Sequence, residues 1–170
     1  MTMALGMAIT DIKSAIDHRV FYAALVTTLS LPHICSSLEN GNNRSNGSDY
    51  KNWYSRYVES RFSGTLSAEA CYSLRCGMIH QGQVSVPGHP QVERVIFRLP
   101  QDNTVTMHGN VIERTVQYEL VIFCEEFISA VGVWWNEKGA DPVVQKNMAQ
   151  LVRFHPALSL MGLQFGAVLA

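Results

Sequence analysis

Apolar residues recur every three or four positions over residues 8–30, through Ile12, Ile16, Val20, Ala23 and Val26. That spacing predicts a long first helix, capped by Thr10 or Asp11 and ended at Pro32. The next stretch, Glu39–Asp49, is dense in Asn, Gly and Ser and predicts a polar loop. Tyr50, Trp53, Tyr54, Tyr57 and Val58 then form an aromatic stripe at helical spacing, which reads as core packing rather than a base-stacking platform. Gly64 breaks this helix. Thr65 or Ser67 can cap a further one through AEACYSLRCGMIHQ, with Gly82 as its stop.

The period changes after Gln83. VSVPGHP reads as a loop, VERVIFRL alternates like a strand, PQDNT turns the chain, and VTMHGNVI can return as a second strand. One hairpin is not a sheet protein, so residues 84–113 read as a β-hairpin insertion on a helical body. Val116, Leu120, Phe123, Phe127, Ala130 and Trp134 then give an apolar seam that Gly139 follows. Such a seam needs a bundle partner, in this chain or in a second copy. A last helix is expected to start at Asp141-Pro142 and run to about Phe154. The pattern as a whole predicts a mostly α protein, a helical bundle of about five helices with one β-hairpin.

With 170 residues, 47% of them hydrophobic, the chain fits one domain over 1–170 with an adequate core. The 13 basic residues against 14 acidic give a net charge of -1, which supplies no general attraction for phosphates. Contact with nucleic acid therefore requires a small local site. Only 16% of residues are charged, which favours self-association. The uncharged tail, Pro156–Ala170, is shorter than the ~20 residues of a spanning helix and is expected to pack over the domain or across a subunit boundary. No membrane role is expected. Cys35, Cys71, Cys76 and Cys124 have no CxxC or metal-finger spacing and read as buried, reduced thiols. The N-terminus has no basic segment ahead of an apolar run, so no secretory signal is expected, and a cytoplasmic setting follows.

Candidate chemistry concentrates in CYSLRCGMIHQG. Arg75 falls on a helix face otherwise made of small or apolar groups. A guanidinium there requires an anionic partner, whether a structural glutamate (Glu119, Glu125 or Glu126) or a ligand. His80 follows five residues later. An unbroken helix sets the two roughly 140° and ~7.5 Å apart, so meeting requires unwinding at Gly77 or pairing across two copies. Together they would place a neutral base beside a permanent cation, which suits RNA cleavage through the 2′-OH without a metal.

The Arg-x4-His spacing in RCGMIH, with the hairpin and the helix VQYELVIFCEEFISAVGVWW, resembles the HEPN superfamily and uncharacterised bacterial proteins assigned to it. The resemblance implies a helical bundle, commonly a homodimer, and a metal-independent endoribonuclease with Arg75 and His80 as catalytic residues. Cys76 stands where the family often has a polar residue after the Arg. Gly82 replaces a Tyr found in one toxin branch, so that branch's modification-based control does not carry over. Tyr72, Ser73 and Cys76 are candidate supporting residues for a phosphate or a bound water.

Other constellations are weaker. Cys71, Cys76 and His80 lack a fourth metal ligand, so no metal or other cofactor is expected. Cys76 and His80 lack a third group to orient a thiol–imidazole pair. His33, His89, His108 and His155 read as surface residues, as does His18. Glu125 and Glu126 point about 100° apart and do not form a carboxylate pair. The rival to a ribonuclease is a non-catalytic helical interaction or assembly protein in which Arg75 is a buried ion-pair residue. A redox sensor using Cys71 and Cys76 is a third reading.

Overall fold

The structure, a computed structural model, describes residues 3–100, 107–152, 154–155, 158–160 and 163–169. Most of the chain is helical, with a small sheet. The predicted PQDNT turn, the start of the second predicted strand and part of the C-terminal tail lie outside the described residues.

The first predicted helix is two: α1 (Met3–Asp17) and α2 (Phe21–Glu39). The break is at Arg19, whose φ of 59° lies in the left-handed region and turns the chain back on itself. No Gly or Pro announces it. Pro32 does not end α2 but is buried within it, and the helix runs on for seven more residues. This helix is central, touching α1, α3, α4, α5 and α6. It has the length and apolarity of a membrane span, and half of that stretch is buried inside the fold. A helix packed on several sides is apolar around much of its circumference for that reason alone.

Helix α3 (Gly47–Tyr57) starts three residues earlier than the aromatic stripe indicates. Asn46 accepts from the backbone of Ser48 and Asp49, while the Asp49 side chain accepts from Asn46 N, a reciprocal capping box inside the polar loop. A short 3-10 turn (Glu59–Phe62) leads to α4 (Ala68–Gln81), with Ser67 as its N-cap and Gly82 as its left-handed C-cap (φ 65°). Both ends of α4 are where the sequence puts them.

The β region differs from a hairpin insertion. Strand β1 (Arg94–Arg98) pairs in parallel with β3 (Thr115–Glu119), and β2 (Asn110–Ile112) pairs antiparallel with β3, giving the order β1-β3-β2. The tight hairpin is thus β2–β3, turning at Glu113 and Arg114, both at positive φ (46° and 61°). Val95, Val116 and Tyr118 are fully buried, so the sheet is part of the core. Strand β3 passes directly into α5 (Leu120–Lys138), whose Phe123 and Phe127 rings pack with Phe62 and Tyr118.

Helix α6 (Pro142–Met148) starts at the predicted Asp141 cap but stops six residues short of Phe154. Val144, Asn147 and Met148 are buried, whereas on the next turn only Leu151 packs, and partly. Six α-helices are therefore described, one more than the seams suggest, because the first divides. In the tail, Phe154–His155 pairs with Val168–Leu169, and Leu158–Leu160 with Leu163–Phe165. Phe154 and Leu169 are exposed.

Gly77 is buried in α4 for a packing reason. A Cβ there would lie 3.1 Å from the carbonyl oxygen of Gln83, which is fixed by its own N–H bond to Gly77 O (3.0 Å). Gly77→Val is expected to lower unfolding stability by about 1–3 kcal/mol, read from urea midpoints. An unchanged midpoint would mean that the segment after α4 yields freely.

Candidate functional site

Arg75 and His80 do meet, without unwinding at Gly77. Helix α4 is continuous through both residues, and Arg75 Nη1 donates to His80 Nε2 at 3.4 Å. The helical wheel separates the two Cβ atoms, but the long arginine side chain spans the gap. A guanidinium can only donate, so Nε2 is the acceptor and the neutral ring carries its proton on Nδ1. Arg75 is half-buried and His80 exposed, so the pair borders on solvent.

The expected glutamate partner is missing. Glu119 pairs with Arg98 (3.1 Å), Glu126 pairs with Arg61 (2.9 Å), and Glu125 is exposed. Among the described residues no carboxylate lies within ion-pair distance of Arg75. The ion pair expected with Glu119, Glu125 or Glu126 is therefore not formed within the described residues. The Nε of Arg75 is moreover enclosed with no hydrogen-bond partner.

The candidate supporting residues divide. Cys76, half-buried, lies 3.9 Å from Arg75 Nη1 and belongs to the site. Tyr72 packs beside it, its phenol pushed up first by burial and then by Cys76. The Tyr72 ring also closes over Gly47 at the start of α3, where an added Cβ would come within 2.8 Å of the phenol. Ser73 is turned away: its hydroxyl is bonded to His89 Nε2 at 3.0 Å.

Cys71 is closed to solvent. It is fully buried, its thiol lies 3.4 Å from Tyr50 Oη, and burial pushes that thiol up to about 12. Cys35 and Cys124 are buried as well, which leaves Cys76 as the partly accessible thiol of the four. Among the described residues no three His, Cys, Asp or Glu side chains converge as a metal site.

Two histidines read as surface residues are partly enclosed. His108 lies over Phe62 (5.9 Å between centroids), with Nδ1 accepting from Glu119 N at 3.3 Å. His33 is the more consequential. It sits on α2 beyond Pro32, edge-on to Tyr50 at 5.0 Å and 6.0 Å from Tyr72. Ending the first helix at Pro32 hid it. Continued past the proline, that helix carries Ser30, His33 and Ser37 at spacings of three and four, a polar stripe on an otherwise apolar segment.

Burial, and then the positive charge of Arg75, lower the His33 pKa below its ordinary 6.5, against a smaller opposing effect of Asp49. His108 is lowered too, chiefly by burial. In the unfolded chain both rings bind protons at about 6.5, so below that pH the unfolded state holds more protons than the folded one. Stability is therefore full above about pH 6.5 and falls as the pH drops from there toward the lowered folded values. Urea midpoints measured from neutral to mildly acidic pH are expected to decline, and to decline less in His33→Gln.

Compared with known proteins, the chain matches no family model, no curated sequence and no solved structure.

Proposed function

We propose that the protein is a metal-independent endoribonuclease of HEPN type, with Arg75 and His80 as its catalytic residues. The observation that carries this reading is the Arg75 Nη1–His80 Nε2 contact at a solvent-bordering position where, among the described residues, no carboxylate pairs with the guanidinium. The chemistry follows from what each group can do. When a phosphodiester enters, Arg75 exchanges a long 3.4 Å contact for charge-assisted bonds to phosphate oxygens. That exchange frees the Nε2 lone pair. His80 then takes the proton of the 2′-OH, the 2′-oxygen attacks phosphorus, and Arg75 steadies the charge on the phosphorane. The 5′-oxygen leaves and takes a proton from solvent or from the protonated ring, producing 2′,3′-cyclic phosphate and 5′-hydroxyl ends.

A homodimer is part of this reading. An apolar groove of about 350 Å³ opens beside the end of α4, lined by Tyr22, Met78, Val84, Ile96 and Leu99 among others. A second copy covering it would bring two Arg75–His80 pairs near a shared boundary. The same groove favours the rival reading, a non-catalytic assembly module, since it offers a partner apolar surface next to α4.

The test is RNA cleavage by the purified protein in EDTA, with RNA carrying a 2′-deoxy residue at the cut as control. The nuclease reading requires cyclic-phosphate ends, no cut at the deoxy position, and loss of cleavage in Arg75→Ala and His80→Ala. An inert parent protein, or variants as active as the parent, leaves the assembly module.

A further inference from the structure

The strands described between Phe154 and Leu169 make an arm with one apolar face. Phe154 and His155 pair with Leu169 and Val168, and Leu158, Ser159 and Leu160 with Phe165, Gln164 and Leu163. Four positions separate Phe154 from Leu158 on one side and Phe165 from Leu169 on the other, so both ladders keep one antiparallel register. Alternation along a strand sets the pairs Leu158–Phe165 and Leu160–Leu163 on one register face and Ser159–Gln164 on the other. The Phe154–Leu169 pair stands an even step away and joins the apolar face. Phe154 is 51% exposed and Leu169 66%, so this end of the face is open to water. A two-stranded hairpin is marginally stable alone, and its apolar face requires a surface.

A surface of the same character is the groove of about 350 Å³ at the other end of α2. Phe21, Tyr22 and Leu25 of α2 line it with Met78 of α4, Ile96 of β1 and Leu99, and Tyr22, Ile96 and Leu99 are exposed. Among the described residues no Asp, Glu, Lys or Arg lines it, and none stands at a paired position of the arm. The root of the arm is fixed near the last turn of α2. There Asn147 Nδ2 donates to Leu38 O and Asn40 O, Gln150 Oε1 accepts from Asn43 Nδ2, and Leu151 packs against the core. Tyr22 and Leu38 lie about 24 Å apart along the helix axis. From Phe154 to Leu160 the arm spans only about 20 Å. It can therefore bring its tip at most to the groove of its own chain, and the exposed Phe154–Leu169 end stays far from it. Two copies with antiparallel α2 helices remove that mismatch, because each arm's root then lies beside the other copy's groove.

We propose that the protein is an arm-exchanged homodimer, in which the apolar face of the 154–169 arm of each copy seats on the groove formed by α2, α4 and β1 of the other. The proposal rests on the homodimer of the nuclease reading and names the segment that makes it. The area is sufficient. Six apolar residues per arm at about 100 Å² each, met by equal groove area at two seats, offer about 2,400 Å². Burial of half to three-quarters of it reaches the roughly 1,200–2,000 Å² of a stable interface.

Analytical ultracentrifugation of the full chain over a range of concentrations tests this. The parent is expected to sediment as a dimer. Leu169→Asp on the arm and Leu99→Asp in the groove are each expected to weaken it by at least about thirtyfold, the loss of a central interface contact. Both residues are exposed, so the circular dichroism of each variant should match the parent's. Phe154→Asp and Ile96→Asp repeat the pair should either variant fold poorly. An equal mixture of the arm and groove variants should form dimers again, because the intact arm of one copy meets the intact groove of the other.

A monomeric parent, or a mixture no more dimeric than its components, overturns the arm exchange. A dimer untouched by Leu169→Asp means groove against groove, one untouched by Leu99→Asp means arm against arm, and either result also overturns it. A dimer restored by mixing that cuts no RNA sinks the nuclease and leaves the arm exchange. RNA cleavage by a parent that sediments as a monomer does the reverse.

Discussion

His80→Ala is expected to lower RNA cleavage in EDTA by about 10²–10⁴-fold, the range for removing a positioned general base, while leaving the urea midpoint where it was. The two readouts separate because His80 is exposed and meets Arg75 only through a long bond. Exposed substitutions of this kind change stability by no more than about 0.5 kcal/mol. Arg75→Ala is expected to cost about 10²–10³-fold, as for the loss of one oriented donor at a developing oxyanion. It should not destabilise the fold, because it breaks no ion pair and removes an enclosed, unpaired Nε. Arg75→Lys should recover little. An ammonium cannot present two parallel donors to a phosphate. A large stability loss in His80→Ala contradicts this assignment.

The site was half legible in the sequence. Both ends of α4 were readable, since Ser67 is a strong cap and Gly82 supplies the left-handed stop. Arg75 on an apolar face was equally plain. What the wheel could not give was the meeting of Arg75 with His80, because angular separation describes where side chains leave the helix rather than where a flexible arginine ends. His33 was lost to a rule that usually holds, that proline closes a helix. Pro32 instead sits buried inside α2, and the helix carries His33 on to face Tyr50 and Tyr72.

In the fold, the errors sit where two periods coincide or a turn lacks its usual residues. Val116 and Leu120 fit a helical seam, while Val116, Tyr118 and Leu120 fit a strand as well. The buried alternation of β3 followed at once by α5 satisfies both patterns, so the boundary at Glu119 carried no signal. The β2–β3 turn uses Glu113-Arg114 at positive φ, where Asn-Gly would have announced a hairpin. The break at Arg19 is silent for the same reason. Helix number and strand order thus depended on three non-glycine residues in left-handed backbone, a choice that local composition does not encode.

Trp134→Ala is expected to be the most damaging single substitution for stability, at about 3–5 kcal/mol, and Trp134→Phe should separate its two causes. The Trp134 ring is fully buried in α5, and its Nε1 donates to Glu39 Oε1 at 2.6 Å. That bond ties α5 to the last residue of α2, the helix that also carries His33. Truncation to Ala opens a cavity the size of an indole and leaves the Glu39 carboxylate without its donor. Phe fills most of the space but cannot donate, so its cost should fall to about 1–3 kcal/mol, the penalty of the unpaired acceptor plus a residual void. A ratio near these values assigns most of the loss to packing. Equal losses in Ala and Phe would assign it to the Trp134–Glu39 bond instead. Neither substitution removes the Asn147 Nδ2 bonds to Leu38 O (3.0 Å) and Asn40 O (2.8 Å), which also hold the end of α2.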